Sequence, residues 1–231
     1  MDTTPDKSSY KVIQALTSEG SQNLLKVLSQ LKLNDGVNSL KDKTDVNRYL
    51  KNNKEASMPI TSEDFFKVLP LKEIRDYTAF SRLKFKPFYS VMEEGGYFKP
   101  HLDDVFNGHF SHTLFLSDPD TYEGGELELL VNGKVEQFKP EPGTLIMYET
   151  GLPHQVKQVT KGVRRVVIWW SVSLIRDKQD LYQWRSYNKY ATTDYPINKD
   201  DIPLTLKEFT SKKPILYKQL ADDILRRYLI N

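Results

Sequence analysis

The chain has 231 residues, of which 39% are hydrophobic, 12% aromatic and 28% charged, a balance that excludes collagen-like, coiled-coil and wholly disordered classes. Lys plus Arg number 33 against 31 for Asp plus Glu, so the net charge of +2 provides no general field towards nucleic acid or an anionic membrane. Cysteine is absent, which removes disulfides, thiolate catalysis and Cys-ligated metal, and leaves His and carboxylate as the available ligands.

In chain order, the N-terminus MDTTPDKSSYKV lacks a basic region followed by an apolar stretch and does not read as a secretory signal. No uncharged apolar run reaches the ~18 residues of a membrane span, so no membrane association is expected and an intracellular, cytoplasmic location is the default. Up to about residue 80 the spacing is helical. Leu24, Leu25, Val27, Leu28 and Leu31 predict one helix face, ended near Asn34-Asp35-Gly36. The polar stretch from Lys41 to Ala56 reads as a loop. Thr61-Ser62-Glu63-Asp64 reads as a helix start before Phe65, Phe66 and Val68, with Pro70 limiting its length.

From about Arg82 to Leu174 the pattern changes to short β-type runs. The expected strands are Leu83–Val91, Gly96–Asp103, Phe110–Leu116, Glu126–Val131, Lys134–Phe138, Thr144–Tyr148, His154–Val159 and Arg164–Leu174. Asn132-Gly133 marks a type I′ hairpin, because that turn wants φ > 0 at both central residues. Strands without intervening helices predict a mainly β protein with flanking helices and a double-stranded β-helix (jelly-roll, cupin-like) core. After Arg176 helical character returns, ending in Tyr217–Ile230 with Leu220, Ile224, Leu225 and Tyr228 on one face. The expected organisation is an N-terminal helical region at 1–80 packing on the core, the β core at 81–177 and a C-terminal helical extension at 178–231, combined in one compact domain.

Within the β region, His101-Leu102-Asp103 is followed by His154 and then by Arg164. Side chains at i and i+2 of a strand share a face, so His101 and Asp103 can present an imidazole and a carboxylate to one point. A third ligand from a non-adjacent strand would complete one face of an octahedron. Two His and one carboxylate with the opposite positions open is the facial triad of non-heme Fe(II) oxygenases. Taken alone, H-x-D also fits a histidine hydrogen-bonded to a nearby aspartate on a surface strand.

The surrounding motifs decide between these readings. Glu94-Gly95-Gly96-Tyr97-Phe98-Lys99-Pro100-His101-Leu102-Asp103, Thr113 to Asp120, Tyr122-Glu123-Gly124-Gly125-Glu126-Leu127, Pro142-Gly143-Thr144, His154-Gln155-Val156 and Thr160 to Arg164 stand in order. Together they resemble the 2-oxoglutarate and Fe(II)-dependent dioxygenases, in the prolyl-4-hydroxylase-like branch that includes the PKHD-type hydroxylases. The resemblance covers about residues 88 to 177. It implies His101, Asp103 and His154 as iron ligands and Arg164 as the cation for the distal carboxylate of 2-oxoglutarate, a role that suits a planar guanidinium. Arg165 would point to the opposite face of the strand.

The same parity places Val166, Ile168 and Trp170 inward with Arg164, and Thr113 inward with Ser111 and Phe115. Thr113 is a candidate hydrogen-bonding partner of the cosubstrate. Phe115, Trp170 and Met92 are candidate pocket walls, with plain core packing the alternative for Phe115 and Trp170. Met92 and Phe115 stand where many relatives carry a tyrosine, so the hydroxyl assisting Arg164 stays open between Tyr148 and Tyr97. His109 and His112, three apart, cannot both join one site. Asp104 is expected to be solvated, and Glu123-Gly124-Gly125 to form a tight turn.

The resemblance implies a hydroxylase that uses Fe(II), 2-oxoglutarate and O2, releases succinate and CO2, and relies on ascorbate to keep the iron reduced. The favoured substrate is a prolyl or other peptidyl side chain, ahead of a free amino acid or small metabolite and then a nucleobase; nucleic acid is disfavoured by the charge balance. A non-catalytic jelly-roll binding module is the rival of a different class. Oligomeric state is not readable.

Overall fold

The computed structural model describes residues 8–40, 49–59, 62–84, 86–190 and 213–229. Contacts group them differently from the boundaries expected at 80 and 177. One compact unit comprises the described residues within 9–71 and 83–172; a second comprises residue 8 and the described residues within 72–82 and 173–229.

The first unit is the jelly-roll core. Its large sheet runs β1 (Tyr10–Gln14), β12 (Thr144–Glu149), β8 (Phe110–Phe115), β15 (Arg164–Val172), β6 (Phe88–Met92), β4 (Lys54–Ser57) and β2 (Asn34–Asp35), with β5 (Arg82–Leu83) also paired to β15. The smaller sheet is β11 (Lys134–Phe138), β10 (Leu127–Val131), β13 (His154–Val156), β7 (Tyr97–His101) and β3 (Lys51–Asn52). A third ribbon joins β14 (Val159–Gly162) to β9 (Tyr122–Gly124). Along the main path of each sheet and in the ribbon, neighbouring strands pair antiparallel.

Period-2 alternation builds the core between the two larger sheets. Phe115, Ile146, Tyr148 and Val166 from one sheet and Leu127, Leu129 and Val156 from the other are buried together. The central strands β8 and β12 are buried at nearly every position, because their outer faces are covered too. There Trp169 meets Phe65 of α2 (Ser62–Lys67) at 5.3 Å and His112 at 4.8 Å. The Asn132-Gly133 turn joins β10 to β11 with φ of 51° and 78°, as its chemistry demands.

Several expectations need correction. Tyr10–Gln14 is a strand within the segment expected to be helical, and Lys51–Ser57, expected as loop, supplies β3 and β4. The helix α1 spans Ser18–Leu28, capped by the Thr17 hydroxyl, and Leu28 is buried while Val27 is exposed. Val68 is likewise exposed. Of Leu83–Val91, Leu83 ends β5 and Phe88 starts β6, with Phe85 outside the described residues, and His154–Val159 divides into β13 and β14. Thr61 and part of the 41–56 segment (41–48) lie outside the described residues.

The second unit holds α3 (Leu71–Thr78) from Lys72 onward, α4 (Lys178–Tyr190) and α5 (Lys213–Leu229). In α5, Ile224 is buried and Leu220, Leu225 and Tyr228 are half-buried, the face expected from their spacing. Arg185 is buried, donates to the carbonyl oxygens of Tyr77 and Ser8, and stacks 3.9 Å from the Tyr77 ring centroid. Among the described residues no helix is long and apolar enough to cross a membrane.

His112 makes an acid-sensitive point in the core. Complete burial lowers its pKa from 6.5 to about 3, outweighing contacts with the backbone of Trp169 and Phe110. Between those values the unfolded chain binds a proton that the folded chain refuses, so stability rises with pH across the window and is lost as pH falls. Urea unfolding at pH 7 and pH 5 should show the parent losing stability on acidification, with the His112 share on the order of 2 kcal/mol, and His112→Phe losing less by that amount. An unchanged loss in the variant would assign the acid sensitivity elsewhere.

Candidate metal and cosubstrate site

Two of the three proposed ligands face each other because β13 and β7 are paired with His154 opposite His101. Strand β7 ends at His101, so Asp103 comes from the residues just after it. The chain nevertheless turns the Asp103 carboxylate inward, while Leu102 is 60% exposed. The His101 Nε2 to Asp103 Oδ1 distance is 3.8 Å and the His154 Nε2 to Asp103 Oδ2 distance is 3.7 Å. The three ligand atoms all lie within 4.8 Å of one another, and no other such cluster occurs among the described residues.

Each donor is oriented by a second contact. Nδ1 of His101 lies 2.8 Å from the Lys99 carbonyl and Nδ1 of His154 lies 2.9 Å from the Leu152 carbonyl. Nδ1 is therefore assigned the proton, and the Nε2 lone pairs point to the common centre. Asp103 Oδ2 accepts from Ser111 Oγ at 2.6 Å and from Trp170 Nε1 at 2.9 Å. Phe98 stacks on His101 at 3.6 Å. Burial, with His154 alongside, lowers the His101 pKa to about 4, so the ring is neutral near pH 7, as a ligand must be. Two imidazoles and a carboxylate in this arrangement fit Fe(II), which takes N and O donors on one face.

Arg164 enters the same cavity from β15. It is 1% exposed, its guanidinium lies 5.0 Å from the Phe115 ring centroid, and its Nε has no partner within the chain. Burial lowers its pKa to about 10, with Tyr122, Tyr148 and Glu126 opposing the shift, and the group stays cationic at neutral pH. Tyr122 Oη and Glu126 Oε2 are also buried without hydrogen-bond partners. Gly125 makes room for the arginine. At φ of 70°, an added Cβ would sit 3.1 Å from Arg164 Cδ. A buried cation with an open donor fits one end of a dicarboxylate.

The cavity has a volume of about 550 Å³ and runs from the ligand triad to Arg164. Thr113, Met92 and Trp170 line it, and Trp170 also donates to Asp103. Phe115 is not on its wall: it lies beneath the guanidinium. Tyr148 lines the cavity within hydrogen-bonding reach of Thr113 and Ser111, and burial raises its pKa so that the hydroxyl keeps its proton. Tyr97 lies off the cavity, under the Lys99 ammonium at 4.7 Å. Asp104 is not merely solvated; it accepts from the Phe106 N–H to cap a 3-10 turn and borders the cavity. Neither His109 nor His112 reaches the cavity. Arg165 lies beside Tyr89 on the other face of β15. Sequence reasoning missed Tyr122 and Glu126 around Arg164, and the Lys51, Asn53 and Glu55 side chains that also line the cavity.

Residues 87–172 match the family model of the 2OG-Fe(II) oxygenase superfamily. A PKHD-type hydroxylase of Pseudomonas putida (strain W619) is 33% identical over 134 residues, covering 52% of this chain and 59% of the relative. The chain thus spans less than two thirds of that relative's length. In fold, the chain is similar to a Pseudomonas putida prolyl-4-hydroxylase, with TM-score 0.56, 16% identity and coverage of 71% of this chain and 92% of the other. It is also similar to a Trichoplax adhaerens prolyl hydroxylase in complex with a hypoxia inducible factor oxygen degradation domain peptide fragment. That match has TM-score 0.55, 18% identity and coverage of 70% and 82%.

The ligand geometry makes a graded expectation for metal binding, read with Mn(II) by calorimetry. Asp103→Ala should abolish detectable binding. Trp170→Phe, which keeps an apolar ring but deletes the donor to Asp103, should weaken it about tenfold. Equal affinities for parent and both variants would remove Asp103 from the site.

Proposed function

We propose, from the match of residues 87–172 to the 2OG-Fe(II) oxygenase superfamily, that the protein is a hydroxylase of the prolyl-4-hydroxylase-like type acting on a peptidyl, favourably prolyl, side chain. The observation that carries the reading is one cavity that holds His101, Asp103 and His154 within 4.8 Å of one another together with the buried, open-donor Arg164. Fe(II) with 2-oxoglutarate and dioxygen would supply hydroxylation of a C–H bond coupled to release of succinate and CO2.

The chain's own residues do the holding and the shielding. His101, Asp103 and His154 hold the metal. Arg164 pairs with the distal carboxylate of 2-oxoglutarate, with the Tyr148 and Thr113 hydroxyls beside it. Phe98, Phe88 and Trp170 form apolar walls, the last two 5.6 Å apart between centroids, which keep water from the reacting carbon. An apolar ring such as pyrrolidine suits that surface. At 60% and 77% exposure, Leu102 and Phe106 flank Asp103 and Asp104 and offer apolar contact to an extended peptide.

Succinate release from 2-oxoglutarate with added Fe(II) should be stimulated by proline-containing peptides and not by single-stranded oligonucleotides. The two neighbouring arginines separate the cosubstrate role. Arg164→Ala should weaken 2-oxoglutarate binding by on the order of 2–5 kcal/mol, whereas Arg165→Ala should change it little. Stimulation by an oligonucleotide alone, or a reversed arginine result, would sink the corresponding half of this reading.

A further inference from the structure

The cavity continues past the proposed metal site to a wall built by residues 39 to 55, outside the stretch matched to the family. This wall is polar and buried. Lys51 is 5% exposed, Asn53 6% and Glu55 9%, values that charged residues rarely reach unless paired. Lys51 sits on β3 of the small sheet, opposite Phe98, and Glu55 on β4 of the large sheet, opposite Ser90. Their ion pair of 2.5 Å closes the gap between the sheets at this end of the cavity. Asn53, between them, donates to Glu55 Oε1 and to Ser90 Oγ, each at 2.8 Å.

The donor and acceptor count leaves three groups over, one of them the buried Asn53 Oδ1, which has no partner. The Lys51 ammonium gives one N–H to Glu55 and one to Ser39 Oγ at 3.0 Å, so one of its three donors is unused. Glu55 Oε1 takes both Lys51 and Asn53, which leaves Oε2 as a free acceptor. The wall therefore offers a donor and an acceptor side by side with no net charge. A lone carboxylate or phosphate would meet the Glu55 oxygen wherever it met the Lys51 ammonium. A main-chain N–H and C=O on one edge of an extended residue match the pair, as they match a neighbouring strand. Lys51 also lies 5.0 Å from the Phe98 ring, the ring that stacks on His101, so the pair stands next to the reacting end of the cavity.

We infer that the Lys51–Glu55 pair, positioned by Asn53, is the substrate-specificity element of this chain and binds the main-chain amide groups of a peptide residue flanking the one that is hydroxylated. This rests on the hydroxylase reading above. A purely structural clasp between the sheets is the competing role, and it is distinguished by what the variants do to substrate against cosubstrate.

The experiment uses the full chain and an acetyl-capped, proline-centred peptide pool, with incorporation of one oxygen read by mass spectrometry. Because removal of one charge strands the other in a buried site, the principal variant is the double substitution Lys51→Met/Glu55→Leu, with Glu55→Gln as its milder companion. Calorimetric binding of 2-oxoglutarate to the Mn(II)-loaded protein should stay within about twofold of the parent. The kcat/KM for the peptide pool should fall about tenfold or more, the worth of one or two lost hydrogen bonds, mainly through KM. Unchanged kcat/KM in both variants overturns the assignment. Parallel loss of cosubstrate binding and peptide turnover in both variants overturns it in favour of the clasp. Hydroxylation of uncapped proline in preference to the capped pool, with the same sensitivity to the variants, replaces the peptide amide by a zwitterion and also overturns it. A parent protein that binds no 2-oxoglutarate removes the hydroxylase reading itself.

Discussion

The carboxylate of Asp103 is held from two directions at once, and the geometry of the cavity depends on it. The chain delivers it from the end of β7 in the small sheet, beside His101 and His154. Its Oδ2 is anchored by Ser111 and Trp170, which belong to the large sheet. The two sheets must therefore approach to hydrogen-bond distance at this point. Packing of Leu127, Leu129 and Val156 against Phe115, Ile146 and Val166 supplies the force that brings them there. The core does not contain the site as a decoration; it sets the distance between a ligand and the groups that aim it.

The second constraint is electrostatic. Arg164, Lys51 and Glu55 are charged and nearly inaccessible, and burying a charge costs several kcal/mol unless it is compensated. Lys51 and Glu55 compensate each other across the sheets. Arg164 has an aromatic ring beneath it and the Tyr122, Tyr148 and Glu126 side chains around it, yet keeps an open donor. Such under-satisfied cations mark places where binding a ligand is more favourable than leaving the site to itself. The glycine at 125 belongs to the same design, since a side chain there would press on the arginine stem.

Legibility in the sequence followed how strongly each strand alternates. Lys134–Phe138 and its Asn132-Gly133 turn were readable to the residue, because an exposed hairpin obeys local rules alone. Strands β3 and β4 were not readable. Their inward residues are Lys51 and Glu55, with Asn53 at the corner between the sheets, and polar side chains facing a polar cavity look like loop in any hydropathy pattern. Strand β1 was hidden for a related reason: its sequence is short, and its partner β12 lies more than a hundred residues away. Phe115 shows the limit of parity, which correctly points it inward but does not tell a cavity wall from the layer behind it.

By itself the sequence determined which donor groups are on offer. The H-x-D pair, the distant histidine and the adjacent arginines restrict the donors, and the period of 2 along β15 chooses Arg164 over Arg165, since successive side chains leave opposite faces. Tertiary structure alone decided three things: that Asp103 reaches the histidines from beyond the strand end, that Trp170 serves the carboxylate as well as the wall, and that a polar segment near residue 50 closes the cavity. Each depends on contacts between residues 37 to 67 positions apart in the chain. No local pattern encodes such contacts, because they exist only once the two sheets have been packed face to face.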